Sequence, residues 1–403
     1  MAKHGRSQRF SEIRATVDSL EMPTSDIEEW RYSSIDDLDL AKYSINSDQS
    51  AVREFDSVMA VSVLEANAKS LIIKTYNGII DPQFEPPAGI SLKSFDPEDI
   101  AHDFSGADLF SHLNALLSHP MSLSISATYD STRPVIVLRY LDAEKATAVF
   151  PNFCIKLEPG ARAQVVEVLL SPPEAELLAV PMTKIFQEER STLSYLLLQD
   201  LGPKCGMVGH QASRLMSDAK LRSMSIVAGG DYARLFTTST IAGVGADSSL
   251  NAAYFGSGDQ VLDFRTLQEH SAKNGRSELY FKGAAANDSH LVYSGLIKVD
   301  KGASSTDAFQ TNRNLVLSEG ARADSVPNLD IQENDVRCSH ASSVGPIDED
   351  QQYYLESRGI KPDLVQRLIV GGFFAEMADR IEISGVKGAL MVLAARKWED
   401  LRQ

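Results

Sequence analysis

The 403-residue chain has 43% hydrophobic residues, enough to bury a core and to support more than one domain. Its net charge is -16, from 39 Lys and Arg against 55 Asp and Glu, which argues against the basic face a nucleic-acid binder needs. No apolar run reaches the roughly 20 residues that span a bilayer, and the first twenty residues carry no apolar stretch of secretory type.

The three cysteines, Cys154, Cys205 and Cys338, are far apart with no C-x-x-C pair, so no disulfide framework or local zinc cluster is encoded. Cysteine usage of this kind reads as reduced and cytoplasmic.

Residues 1–120 are mixed. A weak helical period runs over residues 6–20. Pro23 and Thr24 can open a helix whose first turn carries Asp26, Glu28 and Glu29. Trp30 and Tyr32 read as packing anchors. Residues 61–80 hold strand-like runs, the prolines of DPQFEPPAGI interrupt regular structure, and residues 110–117 form a short amphipathic helix ending before Pro120.

From Met121 the period changes to two, with strands over residues 135–140 and 150–157. A pattern then recurs: a corner of Gly, Ala, Ser or Asp followed by an alternating strand. It begins at Pro159, Ser217 and Val244 with separations of roughly 28, and at Lys301 and Glu319 with a separation of about 18. Stacked short strands with small corners suggest a parallel β-helix. An antiparallel sandwich is the alternative.

After Pro346 the period is helical again. Asp348 suits an N-cap, Gly359 a left-handed C′ residue, and Pro362 the first position of the next helix. Leu364, Leu368, Ile369, Phe373 and Phe374 are expected on its apolar face. A last helix over residues 386–401 would bury Leu390, Leu393, Ala394 and Trp398. Such a tail more often packs on its own domain than serves a partner.

The stretch from Ser277 to Gly359 ends its strands on Cys338-Ser339-His340. Two residues apart on one strand, the thiol and imidazole share a face. Both are metal-ligand types, but two ligands do not complete a metal site. Cys154 and Cys205 have no such neighbour and read as structural. His270 could lie on the solenoid surface, where a lone histidine is usually solvated or hydrogen-bonded. No phosphate loop, G-x-S-x-G elbow or H-E-x-x-H motif is present.

SELYFKG from Ser277, SGLIKVDKGASSTDAFQTNRNLVLSEGARADSVPNLDIQENDVRCSH and YYLESRGI resemble the SufB/SufD family, scaffold proteins of the SUF iron–sulfur cluster assembly system. EEWRY at Glu28 and LEPGARAQVVE at Leu157 extend the likeness. The Cys338-Ser339-His340 order resembles the SufD type, and Gln310-Thr311-Asn312-Arg313 stands where SufB-type chains carry a cysteine. Ala341-Ser342-Ser343, Val261 and Arg265 depart from the family pattern, and no role is carried to the segment around Val261.

The resemblance implies a right-handed parallel β-helix (residues 121–344) between an N-terminal mostly helical domain (1–120) and a C-terminal helical domain (345–403). It implies a non-enzymatic scaffold that pairs with a SufB-like sister through the β-helix and forms a transient cluster at their junction. His340 and Cys338 are the candidate ligands. Tyr353, Tyr354, Leu355, Arg358 and Gly359 match the segment that docks a SufC-like ABC ATPase. The complex is also associated with reduced FAD, with no residue assigned. Two rival readings are a self-sufficient SufB-like scaffold acting as a homodimer and a β-helix enzyme acting on carbohydrate.

Overall fold

A computed structural model describes residues 17–45, 52–94, 108–143 and 145–400. Most of the helical period over residues 6–20 lies outside them.

The chain winds into a parallel β-solenoid of about eight turns, so the sandwich alternative is overturned. Each coil gives one strand to each of two facing sheets. The first sheet runs from Leu71–Tyr76 through Val135–Tyr140, Arg162–Leu170, Thr192–Asp200, Lys220–Val227, Asp247–Gly256, Arg276–Ala285 and Thr306–Val316 to Val336–Gly345. The second ends on Tyr232–Ile241, Val261–His270, His290–Val299 and Arg322–Ile331. Parallel pairing therefore reaches back to Leu71–Tyr76, in register with Val135–Tyr140.

The corners explain the spacing. On one side of the solenoid the left-handed residues are Gly160, Arg190, Asp218, Gly245, Asn274 and Ser305, separated by 30, 28, 27, 29 and 31 residues. Each donates its backbone N–H to the corner of the following coil, as Asp218 does to Val244 at 3.0 Å and Ser305 to Asp335 at 2.7 Å. Pro159 and Ser217 are thus two coils apart, with the corner at Arg190 between them. The separation of about 18 between Lys301 and Glu319 is the distance between the two corners of one coil, not a coil repeat.

Strand alternation sets the core. In Thr192–Asp200, Leu193, Tyr195 and Leu197 point into the solenoid, while Leu196 and Leu198 point out. Both faces are buried, which is why these strands are apolar almost without interruption.

The outward residues of the first sheet are covered by three helices. These are α1 (Val58–Ala66) and, after α2 (Leu109–Leu117) and α3 (Glu349–Ser357), α4 (Pro362–Ala375) and α5 (Val386–Asp400). Gly385 and Gly388 let α5 lie close on α1: a Cβ at Gly388 would stand 3.0 Å from Ser62 Cβ. Arg396 on α5 pairs with Asp200 at 2.6 Å.

The second sheet is strapped by the N-terminal segment, where Trp30, Ile35 and Phe110 pack on Leu178, Val180 and Val208. The helix expected to open at Thr24 is only a 3-10 turn, Glu28–Trp30, its N-cap Ile27 making no side-chain hydrogen bond. Trp30 is buried beneath Arg234, whose guanidinium lies 3.7 Å from the ring centroid. Tyr32 is exposed, so it is not a packing anchor. Residues 61–66 are helical and Leu71–Tyr76 is a strand, dividing the run expected to be strand-like.

The C-terminal caps form as their residues require. Asp348 accepts the Gln351 N–H at 2.9 Å, Gly359 is left-handed at φ 86, and Pro362 begins α4. The buried face of α4 is Val365, Val370 and Phe374, whereas Leu364 and Leu368 are exposed. α5 buries Leu390, Leu393, Ala394 and Trp398.

A candidate ligand pair at the open end of the solenoid

Val336–Gly345 is the last strand of the first sheet and pairs only with Thr306–Val316. Register sets Cys338 on Ala308, His340 on Gln310 and Ser342 on Asn312. Those three partners point into the solenoid and are buried. Cys338, His340 and Ser342 therefore face the same way, but with no further coil above them they stand at its open end.

The floor beneath the pair changes character along the strand. Cys338 is half-buried and packs with Val336 against Ile297, Val299, Ala303 and Ala308. Burial pushes its thiol pKa up, and Asp307 adds to the shift. The isolated thiol is thus protonated at neutral pH, and a metal must displace that proton to gain a thiolate.

His340 is exposed above a polar floor. There Asn312 donates to Tyr254 Oη at 2.9 Å, Asn314 donates to Asn312 Oδ1 at 2.7 Å, and Ser325 donates to the same oxygen at 2.9 Å. Ser342 joins this network through Ser325 at 2.7 Å. Sequence reading missed it, although Gln310, Asn312 and Asn314 carry a signal: they are polar residues on the inward parity of a strand.

Among the described residues no group of three or more His, Cys, Asp or Glu side chains is placed to hold a metal ion. Cys338 and His340 are brought together by strand alternation and nothing else joins them.

The other histidine and cysteines differ. His270 is fully buried, its Nε2 2.8 Å from Ser277 Oγ, and burial lowers its pKa to about 4. It is an interior residue, not a surface one: residue 270 shares the inward parity of Leu262 and Phe264. Cys154 and Cys205 are buried, and burial raises both pKa values, that of Cys154 to about 11.

The helical candidates lie apart from this pair, beyond Gly345. Tyr353 and Tyr354 are 74% and 57% exposed, far more than aromatic side chains packed on their own domain. Arg358 and Gly359 are exposed, Leu355 is half-buried, and the Arg358 guanidinium stands 5.2 Å from the Tyr354 ring centroid. Leu364, Leu368 and Met391 add exposed apolar surface nearby in sequence and on the adjoining helix.

Known proteins are similar to this chain in sequence. The family model described as "SUF system FeS cluster assembly, SufBD core domain" matches residues 139–373. An iron–sulfur cluster assembly SufBD family protein of Mycobacterium tuberculosis is 39% identical over 195 residues, 46% of this chain and 49% of that protein. The chain thus aligns with about half the length of its mycobacterial relatives. The iron–sulfur cluster assembly protein SufD of Escherichia coli is 26% identical over 379 residues, covering 91% of this chain and 87% of that one. The SufD of Bacillus subtilis is 29% identical over 263 residues, 64% and 60% of the two chains. The matched region takes in most of the solenoid and two of the C-terminal helices, and the two SufD proteins align over 91% and 64% of the chain: the chain belongs to the SufB/SufD family and is of the SufD type.

Proposed function

We propose that the chain is a scaffold subunit of SUF iron–sulfur cluster assembly, contributing His340 and Cys338 to a nascent cluster at a junction with a SufB-like sister. The observation that carries this is the thiol–imidazole pair on one strand face at the open end of the solenoid. Two ligands leave iron coordination incomplete, so a partner must complete it. A cluster held partly by each subunit can leave when the junction opens, which suits a cargo rather than a resident group.

The free edges of both sheets supply the contact surface. Val326, Leu329, Ile331 and Val344 are exposed there, and the last strands offer unpaired backbone groups. Residues 121–344 would serve as the pairing body and residues 345–403 as the docking region. In that region Tyr353, Tyr354, Leu355, Arg358 and Gly359 meet a SufC-like ABC ATPase. The chain carries no phosphate loop, so nucleotide chemistry belongs to that partner. No enzymatic step is assigned to this chain, and the proposed location is the cytoplasm. Among the described residues no helix is long and apolar enough to cross a membrane.

No residue of this chain is assigned to the reduced FAD of such a complex. The cavity of about 560 Å³ between Trp30 and Arg265 has its two arginines engaged by Asp263, and no G-x-G-x-x-G turn exists to take a pyrophosphate.

The test is co-expression with the host's SufB-like and ATPase subunits, anaerobic purification, and iron and sulfide analysis. Cluster content should fall in His340→Ala and Cys338→Ala while the complex stays intact. An intact complex with undiminished iron in both variants would remove the proposed ligands. A stoichiometric, long-lived cluster on the lone chain would favour the homodimeric scaffold instead.

A further inference from the structure

Gln310 is the in-register partner of His340 and is only 1% exposed. Oε1 of its amide has no hydrogen-bond partner among the described residues, whereas Nε2 lies beside the hydroxyl of Tyr293. Leaving a buried polar group so costs about 1–3 kcal/mol, so a glutamine here calls for an explanation that packing does not supply.

Neighbouring polar groups are already engaged. Tyr293 Oη and Thr266 Oγ1 stand 3.1 Å apart, and Asn312 and Asn314 bond to Tyr254 and to each other. The space itself is built: Gly295, inward on the opposite sheet, has no side chain, and a Cβ there would collide with Gln310 Nε2, Tyr293 Oη and Thr266 Oγ1. Above Gln310 lies only the last strand. Adjacent strands are about 4.8 Å apart, so a rotation of the amide brings it to the His340 ring.

We propose that Gln310 is a positioning residue for His340. Its Oε1 accepts the N–H of the ring nitrogen turned into the solenoid, which fixes the neutral tautomer with the other nitrogen's lone pair directed outward. Histidines that bind metals are commonly held this way by a carbonyl behind the ring. The value of this arrangement rests on His340 being a ligand, but the arrangement itself does not, and the two can fail separately.

The test uses the full-length isolated chain with ¹⁵N-labelled histidine, about two pH units above the ordinary histidine pKa of ~6.5. The His340 signals are assigned by their loss in His340→Ala. In the wild type one tautomer should dominate. Gln310→Leu should reduce that preference about fivefold, as loss of a hydrogen bond of ~1 kcal/mol implies. Gln310→Glu, which keeps the acceptor, should preserve it and also covers the case in which the leucine variant fails to fold. Equal tautomer ratios in wild type and a folded Gln310→Leu overturn the proposal, as does loss of the preference in a folded Gln310→Glu. A tautomer change on Gln310→Leu together with undiminished iron in His340→Ala complexes would uphold the positioning and overturn the ligand assignment.

Discussion

Arg139 and Glu167 form an ion pair with no solvent exposure inside the solenoid. Glu167 also accepts from Thr183 at 2.8 Å and Tyr195 at 2.6 Å, whereas Nε and Nη2 of Arg139 have no hydrogen-bond partner among the described residues. Removing one member of a buried pair strands the other charge, at ~3–5 kcal/mol. We predict a loss of that size in urea unfolding for Glu167→Leu, with most of it restored in the double variant Arg139→Met/Glu167→Leu. His270 makes a second case. Its pKa lies near 4 when folded, against ~6.5 when unfolded, so the unfolded chain takes up its proton first as pH falls. Stability should be unaffected above pH ~6.5 and decline from there toward about 4, by up to ~1.4 kcal/mol per pH unit for each such histidine. His210, also held down to about 4 by burial, adds to the slope. Urea midpoints measured across this window should fall less steeply in His270→Gln. The burial of His270 was not legible beforehand because a lone histidine carries no sign of strand parity until neighbouring strands fix which side is inward. Cys338 and His340 were legible because their parity is relative: whichever way the strand faces, both face it.

The element that makes the solenoid regular is its corner, where one left-handed residue per coil hands a hydrogen bond to the next. Four of the six positions, Arg190, Asp218, Asn274 and Ser305, are not glycine. A β-branched residue pays most for that conformation, about 1–2 kcal/mol. Asp218→Val should therefore lower the unfolding free energy by roughly that amount, and Asp218→Gly should not. Denaturant titration of the two variants decides it. The corners were only partly readable as a repeat, since glycine marks some and Arg190 marks another, and because each coil has two corners the spacing halves wherever both are noticed. Helix ends were easier to read: Asp348, Gly359 and Pro362 act within one turn of themselves. The buried face of α4 was harder, because Leu364 and Leu368 match the helical period as well as Val365 and Val370 do. Only the sheet beneath decides which stripe is covered.

At the scale of the molecule, the first sheet is the shared wall of two cores, one inside the solenoid and one beneath α1, α4 and α5. Leu196, Leu198, Met224, Ile226 and Phe255 are buried only because those helices are present. Each such side chain is worth about 1.5–3 kcal/mol when buried. A chain ending at Gly345 should therefore yield insoluble protein rather than a free solenoid, which a solubility assay of the truncated protein checks. The parallel solenoid was visible in the alternating strands, but this second core was not, since apolar residues on both parities fit a buried sheet without saying what covers it.

Because α1 is covered by α5, a helix from early in the chain waits for one of the last to be made. During synthesis the outer wall of the sheet stays incompletely covered until α5, with Trp398, has left the ribosome. The unfinished chain is then a client for chaperones, and a stalled or nicked one remains recognisable as such to the proteases that clear it.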